Sequence, residues 1–125
     1  MSSDPRQRLV DLVAPALPNG WDQRPYTVRV VGKLAKPTMF VDYTGISHDG
    51  MPAGQVFDEY DLTFVSHFED YIKAEEAIDP VARAVIRVLD GSTEVSWSTA
   101  RKGEFEGYLG WSVTVQQISH TTTEE

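Results

Sequence analysis

Cysteine is absent from this 125-residue chain, which excludes a disulfide framework and any thiolate metal site and leaves compartment unmarked by redox chemistry. Long apolar runs are absent too. None approaches the ~20 residues that cross a bilayer as a helix, and Met1 to Arg8 lacks the shape of a signal peptide. No membrane partner is therefore expected, and the chain is expected to be made and kept in the cytosol, or packaged from it. Basic residues are scarce, 11 against 19 acidic ones, for a formal net charge of −8. Tight binding to nucleic acid phosphates relies on clustered Lys and Arg and is disfavoured; a surface past which a polyanion slides without sticking wants this sign. No Gly-x-Ser-x-Gly setting surrounds any serine, and no glycine cluster leads from a strand into a helix to cradle phosphate. The histidines, His48, His67 and His120, are scattered without the spacing that metal ligands need, so no metal or other cofactor is expected.

What is present is ordinary for a folded domain: 41% hydrophobic and 24% charged residues, in a length that suits one unit. A single domain is predicted over residues 1–118, followed by a flexible polar tail over 119–125. Ser3-Asp4-Pro5 has the form of a helix start, an N-cap oxygen before proline at the first helical position, and Leu9, Leu12, Val13, Ala16 and Leu17 then share a face. Pro15 loosens that helix and Pro18-Asn19-Gly20 ends it. Strands are predicted over Trp21 to Val31, at an edge or bulge because of Pro25, and over Thr38 to Ile46. A third, Gln55 to Phe68, carries Val56, Tyr60, Leu62, Phe64 and Phe68 on one face and Glu59, Asp61, Thr63 and His67 on the other. Between these last two strands projects a loop rich in Gly and Pro, Ser47 to Gly54. Glu69 to Ala77 and Pro80 to Leu89 read as a kinked helix or as two helices, with Asp79-Pro80 repeating the capping arrangement of Asp4-Pro5. Val95 to Ile118 closes the domain as a long hairpin in which Trp97, Trp111, Val113 and Val115 alternate with Ser and Thr. The predicted fold is α+β, a mostly antiparallel sheet of four to five strands packed by two helices in the order α-β-β-β-α-β-β.

Asp58, Glu59 and Asp61, with His67 nearby in sequence, invite a catalytic-carboxylate reading in which neighbouring charges raise one pKa to make a general acid. A solvated sheet face suits Glu59 and Asp61 better, since their strand face is otherwise polar. Asp58 falls on the apolar side, where it should reach a subunit boundary or a backbone donor. His67 reads more simply as a surface histidine at a strand end. Trp21, Trp97 and Trp111 lack interleaved basic residues and read as core and interface anchors rather than base-stacking platforms. Arg101 and Lys102, beside Gly103 and ahead of Glu104 and Glu106, mark a mixed-charge site near the hairpin tip, suited to subunit docking or to guarding a strand edge against aggregation.

Leu17-Pro18-Asn19-Gly20-Trp21, then Pro25-Tyr26, Pro37-Thr38-Met39-Phe40-Val41, Trp97-Ser98-Thr99-Ala100 and Gly103 leading to Trp111-Ser112-Val113 together span nearly the whole chain. In this combination the chain resembles the tail terminator proteins of long-tailed, siphovirus-type bacteriophages, those of phages infecting actinobacteria above all. The resemblance implies a structural virion protein rather than an enzyme. Such a protein, assembled in the host cytoplasm and located at the neck end of the tail, forms a homo-hexameric ring on the head-proximal end of the tail tube. It ends tube polymerisation and presents the docking surface for the head–tail connector. Its partners are then itself, the tail tube protein and the connector proteins, while DNA passes through the lumen without specific binding. On this reading the ring and partner contacts fall on the projecting loop, His48, Asp49, Met51 and Pro52, and on the hairpin tip, Arg101, Lys102 and Glu104, with Glu59 and Asp61 as the acidic lumen face. Two alternatives stand beside it: another neck or tail-tube structural protein, and a small hydrolase using Asp58, Glu59 and His67.

Overall fold

The computed structural model describes residues 5–24, 36–48, 50, 52–105 and 107–120. Helix α1, Pro5–Val13, passes into a 3₁₀ turn, Ala14–Ala16; strands β1 (Asp22–Arg24), β2 (Thr38–Ser47) and β3 (Gln55–Val65) follow, then helix α2 (Tyr71–Asp90) and the hairpin of β4 (Val95–Phe105) and β5 (Tyr108–His120). The strands form one sheet in the order β1-β2-β3-β5-β4. Every neighbouring pair is antiparallel except β1 and β2, which run parallel with Asp22 beside Thr38. The α+β class is as predicted. One parallel pair among the four fits the predicted mostly antiparallel sheet, and β1 and β2 are separated in sequence by about the dozen residues that parallel neighbours need.

Period-two alternation decides which side of the sheet is dry. Tyr60, Leu62 and Phe64 of β3, Met39 and Val41 of β2, and Val113 and Val115 of β5 are fully buried on one side. There they pack with Leu9 and Val13 of α1 and with Ala74, Ile78, Val81, Val85 and Leu89 of α2. Burying side chains of this size contributes about 1.5–3 kcal/mol each, so this layer carries most of the fold's stability. Among the described residues no helix covers the other side of the sheet.

Several predicted boundaries move. The α-helical part of α1 stops at Val13, because Pro15 has no N–H to continue the ladder and the chain tightens into the 3₁₀ turn. β1 begins at Asp22, and the predicted remainder of that strand lies outside the described residues. β3 ends at Val65 rather than Phe68: Ser66 donates its backbone N–H to Leu109 O (2.9 Å) while its hydroxyl accepts from the N–H of Phe68 (3.1 Å), a turn that leaves Phe68 exposed and off the apolar face. β5 runs past Ile118 to His120, pairing His120 with Gln55, so the strand extends into the predicted tail. The two helical segments are one helix. Asp70 caps it, its Oδ1 accepting from the N–H groups of Ile72 (2.9 Å) and Lys73 (3.4 Å), while Asp79 and Pro80 sit in its interior. An interior proline costs about 3 kcal/mol. The buried stripe from Ala74 to Leu89, which runs on either side of the break, offsets that cost and keeps the helix continuous.

Candidate functional site

The face of the sheet away from the helices carries the acidic residues. Glu59 and Asp61 share it, as alternation predicts, and Asp42 joins them because β2 pairs Asp42 with Asp61. A ladder of polar contacts crosses from β3 to β5 on this face. Gln116 Nε2 donates to Glu59 Oε2 (3.2 Å), Thr114 Oγ1 to Asp61 Oδ1 (3.4 Å) and Thr63 Oγ1 to Ser112 Oγ (3.4 Å), each between residues opposite one another in register. Among the described residues the hydrogen-bond donors to Glu59 and Asp61 are a neutral amide and a neutral hydroxyl, so these bonds position the two carboxylates without cancelling their charge. A bulge between Tyr43 and Gly45 shapes the far end of this face: Thr44 Oγ1 donates to Glu59 O (3.0 Å), and Gly45 then lies against the Glu59 carboxylate. Burial first, and then the facing Asp61 carboxylate, push the Asp42 carboxyl above its ordinary pKa, while Arg6 pulls it back. A cleft of about 360 Å³ opens on this face, and it brings Asp61 together with Arg101, Ser112 and Thr114.

The candidate hydrolytic group does not converge. Asp58 and Glu59 are adjacent in β3 and so project to opposite sides of the sheet. Asp58, only 4% exposed, turns to the helix side and accepts a short hydrogen bond from the hydroxyl of Tyr43. Its partner is thus a side chain of its own subunit. His67 lies beyond the end of β3, its ring 4.4 Å from that of Phe68, and its Nδ1 is buried without a hydrogen-bond partner among the described residues. None of these three side chains lines the cleft that holds Asp61 and Arg101.

Tyr43 gives the Asp58 contact a measurable signature. Although the residue is 41% exposed, its hydroxyl is turned onto a buried carboxylate. Burial, then the hydrogen bond to Asp58 and the Asp58 charge, raise the phenol from 10.0 to about 12, against a smaller opposing pull from Arg6, whose guanidinium lies 5.2 Å from the ring centre. A folded-state value above the unfolded one means that the native state holds its proton longer. The contact's contribution is fully present below pH 10 and is lost as pH rises toward 12. Absorbance titration of the folded protein should show a late tyrosine phase near pH 12, reduced in amplitude by Tyr43→Phe. Unchanged amplitude in the variant would contradict this assignment.

The predicted contact residues divide. In the loop, His48 is exposed with Nε2 3.4 Å from Pro52 O, and Pro52 is exposed with its carbonyl accepting from Gln55 N–H (3.2 Å). Gly54, at φ +88°, turns the chain into β3. Asp49 and Met51 lie outside the described residues. In the hairpin, Arg101 and Glu104 are exposed. Lys102, the other cation of the mixed-charge site near the hairpin tip, goes by alternation to the helix side, where its Nζ pairs with Glu75 (2.5 Å) and Asp79 (3.1 Å) of α2. The hydrogen bond to Glu75 first, and then the contact with Asp79, raise its pKa against a smaller opposing effect of desolvation.

Both hairpin tryptophans are tied to α2 as well. Trp97 Nε1 donates to Asp90 Oδ1 (2.8 Å) and Trp111 Nε1 to Asp79 Oδ1 (3.0 Å). The predicted anchor role of Trp97 and Trp111 thus has a specific form, a carboxylate of the helix for each indole. Sequence reasoning missed the helix side of this arrangement, and it missed the exposed Tyr71 (56%) and Ile72 (68%) beside Phe68. A signal for those two was present, since both stand off the apolar stripe that starts at Ala74. It missed Arg83 and Arg87 too, which stand one turn apart on α2 and line a groove against the hairpin. No model of a known protein family matches the chain, and no curated protein sequence matches it significantly.

Proposed function

We propose that this chain is a structural virion protein that closes into a ring on the head-proximal end of the tail tube of a long-tailed phage, ends tube growth and offers the head–tail connector its docking surface. The observation that carries this reading is the acidic ladder. Glu59 and Asp61 are held in place by the neutral donors Gln116 and Thr114 on the sheet face opposite the helices. Carboxylates fixed but not neutralised make a wall that repels DNA phosphates, as a lumen through which DNA must slide requires. The resemblance of Leu17-Pro18-Asn19-Gly20-Trp21 and of the tryptophan hairpin to tail terminators supports the same assignment. The separation of Asp58 from Glu59 across the sheet weighs against the hydrolase alternative.

Negative-stain microscopy of the purified chain, alone and with polymerising tail tube protein, tests the proposal. Rings that cap and shorten tubes support it. Long tubes built by this chain alone favour the tail-tube alternative and overturn it, as do tubes whose length the chain leaves unchanged. Glu59→Gln combined with Asp61→Asn keeps both hydrogen-bond acceptors and removes both charges. DNA retention at low salt, measured by filter binding, is expected to rise several-fold in that variant, and the gain should fade as salt screens the face. Equal retention by variant and parent would count against the lumen assignment.

A further inference from the structure

The groove between α2 and the hairpin combines three properties that nothing in the monomer uses. It is about 400 Å³ in volume and is lined by the apolar side chains Ala82, Ile86, Ala100 and Trp111, with Arg83 and Arg87 beside them. Both arginines are exposed, one helical turn apart, and among the described residues neither has a carboxylate partner. The third lining charge, Asp79, is already engaged by Trp111 and Lys102. In a chain of net charge −8, two neighbouring cations that pair with no described carboxylate stand out beside an apolar groove whose one acid, Asp79, is engaged elsewhere. The groove opens beside Ala100 of β4, which is the last strand of the sheet, so its outer backbone edge pairs with no described strand.

We propose that this groove receives the hairpin end of a second copy of this chain, with Glu104 against Arg83 and Arg87. This contact rests on the ring-forming reading and names its interface. Charge complementarity selects the occupant. Glu104 is exposed and, like the two arginines, has no described ion-pair partner, and it stands next to the half-buried Phe105 at the end of β4. An exposed carboxylate at the end of a strand matches a groove flanked by guanidinium groups, which bind carboxylates through paired N–H donors. Groove and hairpin end are different patches of one molecule, so the contact is heterologous and propagates from copy to copy until the rotation closes, as a ring requires. The link between Lys102 and α2 holds the hairpin in place close to its end, which lowers the entropy lost on docking.

Sedimentation velocity of the full chain over a range of concentrations tests the contact. The parent should self-associate. Arg83→Glu and Glu104→Arg should each weaken association at least about tenfold. Mixed together, the two variants should recover it, because every groove then finds a hairpin end of opposite charge. Both substitutions lie at exposed positions. Circular dichroism confirms that each variant is folded before it is scored. A parent that assembles together with variants that assemble equally well overturns this contact while leaving the ring reading standing. Separate weakening without recovery on mixing also overturns the pairing. A parent that stays monomeric at every concentration overturns self-association itself, and with it this contact.

Discussion

Gly110→Ala is expected to destabilise the fold by on the order of 3 kcal/mol, at the upper end of what overpacking a well-filled interior costs. Gly110 lies in β5, buried between Val65 of β3 and Gly103 of β4. A Cβ added there would stand 2.6 Å from Phe64 O, 2.6 Å from Val65 Cγ1 and 3.0 Å from Val65 Cα. Two of those three atoms belong to the backbone of β3, the central strand of the sheet, and cannot swing aside as the end of a flexible side chain would. Relief requires β3 and β5 to separate just where Leu109 O accepts from Ser66 N–H, next to the turn that leads into α2. Melting temperature should fall by on the order of 10 °C in thermal unfolding followed by circular dichroism. The control is Gly103→Ala in the neighbouring strand, where the added Cβ meets nothing within 4 Å. That change should stay within about 0.5 kcal/mol of the parent. Equal effects at the two positions would show that close approach at Gly110 is not what limits the site.

The sequence and the structure agree where a local period carries the information. Alternation along Gln55 to Val65 already separates Tyr60, Leu62 and Phe64 from Glu59 and Asp61, and the stripe Ala82, Val85 and Leu89 marks the inner side of α2. Features that depend on distant pairing were less legible. Asp42 belongs to the acidic face because β2 sets it opposite Asp61, a register that no local pattern in β2 reveals. Arg101-Lys102 reads as one basic site, yet successive residues of a strand point to opposite sides, and the lysine finds its two carboxylates 27 and 23 positions earlier in the chain. Asp79-Pro80 carries the local signal of a helix start. A carboxylate cap, however, serves whichever donor is nearest, and here the donors are an indole and an ammonium from the hairpin. The groove beside Arg83 and Arg87 was hidden for the same reason. Its walls come from a helix and two strands that meet only in the folded chain.

Asp79→Ala is expected to cost about 1–3 kcal/mol, through the donors it would strand more than through the charge it would remove. The Asp79 side chain is 45% exposed, so its ion pair with Lys102 is screened by solvent and contributes little alone, and Lys102 would keep Glu75 as a partner. The indole N–H of Trp111 is different. It is partly buried and donates at 3.0 Å to a carboxylate oxygen, and alanine offers it no acceptor. Asp79→Asn retains an oxygen for that N–H, so it should cost less than half as much as the alanine variant in urea unfolding. Trp111→Phe made in each background completes a double-mutant cycle, with a coupling energy of about 1 kcal/mol expected between Asp79 and Trp111. Equal losses for the alanine and asparagine variants, or no coupling, would assign the effect to Lys102 or to the helix break at Pro80 instead. The placement of this anchor matters as much as its strength. Asp79 holds Trp111 partway along α2 and Asp90 holds Trp97 at its end, so the hairpin is tied to the helix at two separated points. A strand pair fixed twice to one helix moves with that helix as a unit. The groove between them then keeps its shape before any partner arrives, and a preformed site loses less entropy on docking than one that must be ordered by the contact itself.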